Sequence, residues 1–389
     1  MLNVTSLLGS PSTSDWLRYG TGPAPPGPRP TGPVVVWNCT RTCNLACQHC
    51  YSDSHPVKYD QLDGDEARAM IADIAGMGSP AMLFSGGEPL IRRDLLALIA
   101  EARSHGLNVT LSSNGTLIND AVARDLAGLG VRYVGVSLDG IGEVHDHFRG
   151  RRGAFTKALA GIRALKGAGV RVGVRITLSP SSIAALDDLF DLVAAEGIDR
   201  VCCYHMVPAG RGHAHALLPA AESRRAVERV FDRAEAWVAE GRPIEVLTVD
   251  NYADGPALVM RLAQTDPERA RRAARSLEWN GGQRGAGGRR LAAIDWEGTV
   301  RPDQFWGGAP LGSVRQEPLS VIWERATPLL DALRGRSDSL DGRCATCRFR
   351  GMCGGGLTSR VLACGLPMHA PDPGCHLADT ELTGDATWN

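Results

Sequence analysis

No apolar run in this sequence approaches the roughly 20 residues that a membrane-spanning helix requires. An excess of charge of one sign is missing too: 42 Lys and Arg stand against 43 Asp and Glu, a formal net charge of −1. That balance offers no electrostatic footprint for nucleic acid or for an anionic membrane surface. The N-terminus, Met1 to Leu8, has no positive region and no convincing apolar core of a secretory signal. No internal repeat of solenoid or propeller length is present. The expectation is a cytoplasmic protein with neither nucleic acid nor membrane as partner. The 389 residues suit one large or two ordinary domains, and a hydrophobic fraction of 43% supplies a sizeable core.

Cysteine, by contrast, is plentiful, with eleven residues. A reducing compartment does not keep a disulfide framework, so the spacing reads as metal binding. Seven fall into two groups: Cys43, Cys47 and Cys50, then Cys344, Cys347, Cys353 and Cys375. Cys39, Cys202, Cys203 and Cys364 lie outside them. In the first group, three thiolates round a cubane leave one iron with an open position, as catalytic metal sites do. A zinc knuckle, with His49 or Cys39 as fourth ligand, is the alternative for the same loop. For the second group the alternative is a structural zinc ribbon. Cys202 and Cys203, adjacent on one strand, point to opposite faces and read as packing.

Residues 10–33 are rich in Pro, Gly and Ser and read as an irregular lead-in, with order starting at Pro33. From there short apolar strands alternate with amphipathic helices: strands at 34–38, 81–84, 107–111, 131–138, 170–178 and 200–205, with a long helix over 220–239. Such alternation predicts βα units on a parallel sheet, and six units suit an incomplete barrel. Chemistry in such a barrel sits on loops at the C-terminal strand ends. Four polar loops fall there. The three cysteines follow the first strand and Gly86-Gly87-Glu88 the second. Ser113-Asn114 follows the third, and Ser137-Leu138-Asp139 the fourth, with Arg149 beyond it. The segment 241–290 contains an exposed Arg-rich helix and a Gly-rich loop over 281–288. A hairpin is expected around Trp296-Glu297-Gly298, and a helix over 319–334.

The order of these loops resembles the radical SAM superfamily. The resemblance implies a partial (βα)6 radical SAM barrel over 33–240 after a lead-in over 1–32. It also implies a [4Fe–4S] cluster on Cys43, Cys47 and Cys50, whose open iron binds S-adenosylmethionine (SAM). Tyr51 would then lie by the adenine, and Gly86, Gly87 and Glu88 at the methionine amine. Asn114, Ser137, Asp139 and Arg149 would meet the ribose and carboxylate. Beyond a bridge over 241–290, the tail over 291–389 resembles the SPASM extension. Its pattern implies one auxiliary [4Fe–4S] cluster on Cys344, Cys347, Cys353 and Cys375, with Cys364 as a substitute fourth ligand. Leu357 and Asp303 stand where the full pattern has further cysteines, so a second auxiliary cluster is not expected.

Longer stretches narrow the resemblance. Val34 to Leu45, Val136 to Ile141, His145 to Gly150, Asp250 to Pro256 and Pro302 to Trp306 look like the radical SAM enzymes that trim tetrapyrrole side chains. That implies 12,18-didecarboxysiroheme as substrate, loss of its propionate arms as in heme d1 formation, and flavodoxin or ferredoxin as reductant. The alternatives are loss of acetate arms in siroheme-dependent heme formation, a SPASM-type maturase of a ribosomal peptide, and an iron–sulfur electron carrier. The lead-in is too short for the leader-binding domain of a maturase, and a carrier has no use for Glu88 or Asp139. His205 and Arg211 are the candidates for catalysis, and with His213 for holding substrate carboxylates.

Overall fold

Eleven strands form one sheet among the described residues, which are 1–12, 15–19, 30–215, 217–279 and 287–383 of a computed structural model. In chain order they are β1 Leu2–Asn3, β2 Val34–Asn38, β3 Ala81–Ser85, β4 Asn108–Ser113, β5 Tyr133–Ser137 and β6 Val172–Leu178. Then come β7 Arg200–His205, β8 Glu245–Val249, β9 Leu291–Ile294, β10 Thr299–Arg301 and β11 Gly312–Ser313. Across the sheet the order is β1-β8-β7-β6-β5-β4-β3-β2-β9-β10-β11. Strands β2 to β7 are parallel neighbours in chain order, as the alternating pattern predicts. Because that order never reverses, right-handed crossovers lay the helices that connect β2 to β7 on one face. A sheet covered on one face only curls toward a barrel, which brings the loops after each strand to one rim.

The helices form for local reasons visible in the sequence. Asp63 caps Gly64–Gly76 by accepting from the Asp65 and Glu66 amides at 2.9 Å, and Glu66 returns to the Asp63 amide at 2.8 Å. Helix Leu186–Ala195 turns Leu186, Leu189, Phe190 and Val193 to the core, the spacing of an apolar stripe. Phe190 meets Trp237 of helix Ala220–Ala239 edge-on at 5.7 Å. Each such buried side chain contributes about 1.5–3 kcal/mol. Among the described residues no helix is long and apolar enough to cross a membrane.

Three expectations change. Order does not start at Pro33. β1 pairs antiparallel with β8, and Leu2, Val4 and Leu8 are buried. Asn3 caps helix Val4–Leu7, and its amide donates to Tyr19 Oη at 2.8 Å; residues 13, 14 and 20–29 of the expected lead-in lie outside the described residues. Second, the parallel run does not stop at six strands. β8 extends it beyond β7, and β9 extends it beyond β2, so the tail begins as part of the barrel's own sheet. The hairpin expected round Gly298 is present as β9 and β10. Third, the helix expected over 319–334 is two, Leu319–Glu324 and Pro328–Gly335. Thr327 caps the second, and Pro328, which has no amide hydrogen, cannot continue the first. Residues 281–286 of the Gly-rich loop lie outside the described residues.

Candidate cofactor site

The three-cysteine loop leaves the C-terminal end of β2. Cys43 and Cys47 are buried, Cys50 half-buried, and the three gather round Leu45 and Ala154. Donors surround the sulfurs. The Leu45 amide stands 3.4 Å from Cys43 Sγ and Asn114 Nδ2 3.9 Å. Arg149 Nη1 is 3.6 Å from Cys47 Sγ, and the Ser54 amide 3.4 Å from Cys50 Sγ. Burial pushes the free Cys43 thiol up to about 12 and raises Cys47 as well. Metal binding requires the thiolate, and these donors favour it. Arg149 Nε is buried with no hydrogen-bond partner. A set of donors and an orphaned guanidinium nitrogen around three sulfurs fits an anionic cluster. Among the described residues no three His, Cys, Asp or Glu side chains converge tightly enough for a single metal ion. His49 stacks on Phe148 at 4.3 Å, and Cys39 is fully buried with Arg92 on its carbonyl at 3.0 Å.

The loop after β3 reaches the cysteine loop directly. A Cβ on Gly86 would stand 2.3 Å from the Thr40 carbonyl oxygen and one on Gly87 2.4 Å from that of Thr42. The Gly87 amide donates to Thr40 O at 2.7 Å and the Glu88 amide to Thr42 O at 3.0 Å. The pair of glycines is therefore needed by the chain itself. Glu88 is fully buried and accepts from Ser113 Oγ at 2.9 Å and from the Asn114 amide at 2.8 Å. Burial pushes its carboxyl up to about 7. It braces the loop after β3 against the loop after β4.

The remaining expected contacts converge on the same rim. Asn114 donates to Asn44 Oδ1 at 2.9 Å and accepts from Thr116. Ser137 is half-buried at the end of β5. Asp139 and Arg149 form a buried ion pair with each other, and Asp139 accepts from the Thr177 amide at 2.7 Å. Burial, the largest single influence, would raise Asp139, but the Arg149 guanidinium, His49, His145 and the Thr177 amide together outweigh it and hold the carboxyl below its usual range. Tyr51 Oη donates to Asn38 Oδ1 at 2.8 Å. Its ring meets Phe305 edge-on at 5.3 Å and lines a cavity of about 530 Å³ with Gly210, His213, Arg301 and Trp306. That cavity lies between the loop after β7 and the loop after β10. A cavity of about 630 Å³ on the outer side, between helices Ala220–Ala239 and Asp254–Thr265, is walled by Arg261 and its acidic partners.

Two of the three candidates for substrate contact are placed elsewhere. His205 is buried, with Nε2 3.0 Å from Asp254 Oδ2, and does not line the cavity. Arg211 clamps the cysteine loop. Its Nε donates to Cys47 O at 2.9 Å, and its Nη1 reaches Asp53 Oδ1 at 2.9 Å and Ser54 O at 3.0 Å. Gly210, at φ +53, lets this turn approach, since a Cβ there would be 2.4 Å from Cys50 O. His213 is exposed and lines the cavity. Arg211→Ala should therefore lower stability by about 2 kcal/mol, the scale of hydrogen bonds to charged groups. It should also shed iron from the loop on gel filtration, which thermal melts and iron analysis would register. Unchanged iron retention would show that the clamp is not needed.

In the tail, Cys344, Cys347, Cys353 and Cys375 lie within electrostatic reach of one another, and burial raises all four thiols. Arg336, buried, holds their frame by donating to the carbonyls of Gly354, Gly355, Gly356, Met368 and Ala370. Arg360 and Asp372 add a buried two-pronged ion pair. Cys364 is exposed, and its charged neighbours are Arg360 and Asp372, not the four cysteines. Leu357 packs with Val207, Tyr252 and Phe305, while Asp303 is buried beside Ser359. Apolar packing and a buried carboxyl occupy the positions where the SPASM pattern has its further cysteines. Sequence reasoning missed Arg336, Asp254 and His376. Only the last two carried a signal, Asp254 inside the Asp250–Pro256 stretch and His376 next to Cys375.

The model of the Radical SAM superfamily matches residues 37–193. The chain is 40% identical to Fe-coproporphyrin III synthase of Methanosarcina barkeri, over 98% of this chain and 99% of that protein. It is also 40% identical to pre-heme d1 synthase of Dinoroseobacter shibae, over 91% of this chain and 88% of that protein. Among solved structures, Streptococcus suis SuiB bound to S-adenosylmethionine superposes with a TM-score of 0.71 at 17% identity, covering 89% of this chain and 78% of that one. That likeness extends through barrel and tail alike. With the loops at one rim and relatives matched along nearly their whole length, this chain belongs to the radical SAM superfamily and is an enzyme.

Proposed function

We propose that this enzyme removes carboxylate-bearing arms from a tetrapyrrole, with 12,18-didecarboxysiroheme as substrate and the propionate arms as the groups lost. The observation that carries this reading is the 40% identity, along nearly the whole chain, to two enzymes named for tetrapyrrole products. In this family a SAM-bound [4Fe–4S] cluster supplies a 5′-deoxyadenosyl radical, which takes a hydrogen atom from substrate. Cys43, Cys47 and Cys50 would hold that cluster. Asn114 and Arg149 direct donors at its thiolates, and Arg211 keeps the loop closed. Tyr51, Gly86, Gly87, Glu88, Ser137 and Asp139 would frame SAM. Arg301 and His213, which border the cavity, are suited to holding substrate carboxylates. An auxiliary cluster on Cys344, Cys347, Cys353 and Cys375 completes the proposal, with flavodoxin or ferredoxin as electron donor in the cytoplasm.

Loss of acetate arms is the second reading. It is favoured by the fuller coverage of the Fe-coproporphyrin III synthase, 99% of whose length is matched against 88% for the pre-heme d1 synthase. Anaerobic incubation of reduced, cluster-loaded enzyme with SAM and 12,18-didecarboxysiroheme, read by mass spectrometry, decides between them. Loss of two propionate arms supports the first reading and conversion of two acetates to methyls the second. An unchanged mass alongside 5′-deoxyadenosine formation sinks both.

A further inference from the structure

The segment after β8 grips the chain on both sides of Cys375. Asn251 Nδ2 donates to the Gly374 carbonyl at 2.8 Å. Asp254 Oδ1 meets His376 Nε2 at 2.8 Å, while Oδ2 meets His205 Nε2 at 3.0 Å. The Asp254 and His376 side chains are 0% exposed and that of His205 6%. The two imidazoles stand nearly parallel, 6.3 Å apart. Ser223 Oγ at 3.4 Å and Asn251 Nδ2 at 3.3 Å face the other nitrogen of His205. The other nitrogen of His376 is different: Nδ1 is buried with no hydrogen-bond partner.

A carboxylate buried without solvent costs several kcal/mol before its contacts offset the loss. An orphaned buried nitrogen costs about 1–3 kcal/mol more. Packing alone would be served better by apolar side chains of the same volume. Where a carboxylate holds an imidazole by one nitrogen, however, it fixes the ring's orientation and the use of the other nitrogen, the arrangement found round metal centres.

We propose that Asp254 is a positioning residue for the auxiliary cluster, pinning His376 and with it the Cys375 loop to the C-terminal end of β7. This rests on the reading that Cys344, Cys347, Cys353 and Cys375 hold that cluster. Asp254 acts through His376, whose Nδ1 remains for the group that the neighbouring cysteine helps to hold. The same carboxylate ties that loop, through His205, to a strand of the barrel.

The test uses the full chain with Cys43, Cys47 and Cys50 changed to Ala, so that an auxiliary cluster is read alone. The reconstituted parent should hold about four iron atoms per chain and give one reduced-cluster EPR signal. Adding Asp254→Asn should cut the bound iron by at least half, or shift the g-values and midpoint potential of what remains, with the thermal melt still cooperative. Should Asp254→Asn fail to fold, His376→Gln, which leaves the Asp254–His205 contact in place, is read in the same way. Iron content, g-values and potential all unchanged in a folded variant would overturn the proposal. A parent that binds no iron would instead sink the auxiliary-cluster reading, and this proposal with it.

Discussion

Replacing Cys43 by alanine should abolish SAM cleavage, lowering 5′-deoxyadenosine formation by on the order of a thousandfold or more, about 4 kcal/mol in the barrier. The reason is stoichiometric. Three thiolates hold three irons of a cubane and leave one open, and with two the cluster has no stable seat. Cys43 also has two donors of its own, the Leu45 amide and Asn114 Nδ2. In the variant those donors would face a methyl group. The fold should survive. The cysteine loop is fastened by backbone contacts, from the Cys43 amide to His55 O at 3.0 Å and from the Gln48 amide to Phe148 O at 3.1 Å. Losing one buried sulfur costs only about 1–2 kcal/mol, at the low end for truncating a core side chain. The matched control is Cys39→Ala. Cys39 is four residues away and equally buried, yet it faces core packing, so that variant should cleave SAM normally. Product from reduced Cys43→Ala protein at more than a few per cent of the parent rate would remove Cys43 from the ligand set.

The sequence carried the barrel and the site unequally. Strands β2 to β7 were legible because each is a short apolar run between amphipathic helices. The loops were legible because their order, cysteines then Gly-Gly-Glu then Ser-Asn then Ser-x-Asp, leaves few other folds open. β1 was not legible. Two residues give no periodicity, and Leu2 and Val4 declare themselves only once β8 offers an edge to pair with. β9 is parallel to β2, a partner some 250 positions earlier in the chain, and local pattern carries no information at that separation. Arg211 shows the limit for function. On residue type, Arg211 after β7 is a candidate for holding substrate carboxylates. The positive φ of Gly210 bends it onto the cysteine loop instead. Glu88, Asp139 and Arg149 were placed at the right rim, but burial ties them to partners within the chain. Residue type predicted their neighbourhood, and only packing reveals what each one holds.

Changing Cys353 should separate the two halves of the reaction. Removing one of the four proposed auxiliary ligands should leave SAM cleavage within about threefold of the parent, well under 1 kcal/mol. Substrate conversion should fall by on the order of a hundredfold, the scale of losing support for a metal site. Separation is expected because the two cysteine groups have independent fastenings. The first is held by Glu88, Asn114 and Arg211, the second by Arg336 and the Arg360–Asp372 pair. A path joins them: Cys353 and Phe305 both pack against Val207, Tyr252 and Leu357, and Phe305 meets Tyr51. Serine, which nearly keeps the volume of cysteine, is therefore the better replacement, because alanine would open a gap beside the cluster on which Phe305 packs. With Cys353→Ser, 5′-deoxyadenosine without tetrapyrrole product means the auxiliary group serves the substrate step. Equal loss of both would mean that Phe305 transmits a packing change to Tyr51, so that the SAM pocket itself depends on the tail. Normal turnover would leave Cys353 no part in the chemistry, and the four tail cysteines would then be structural only.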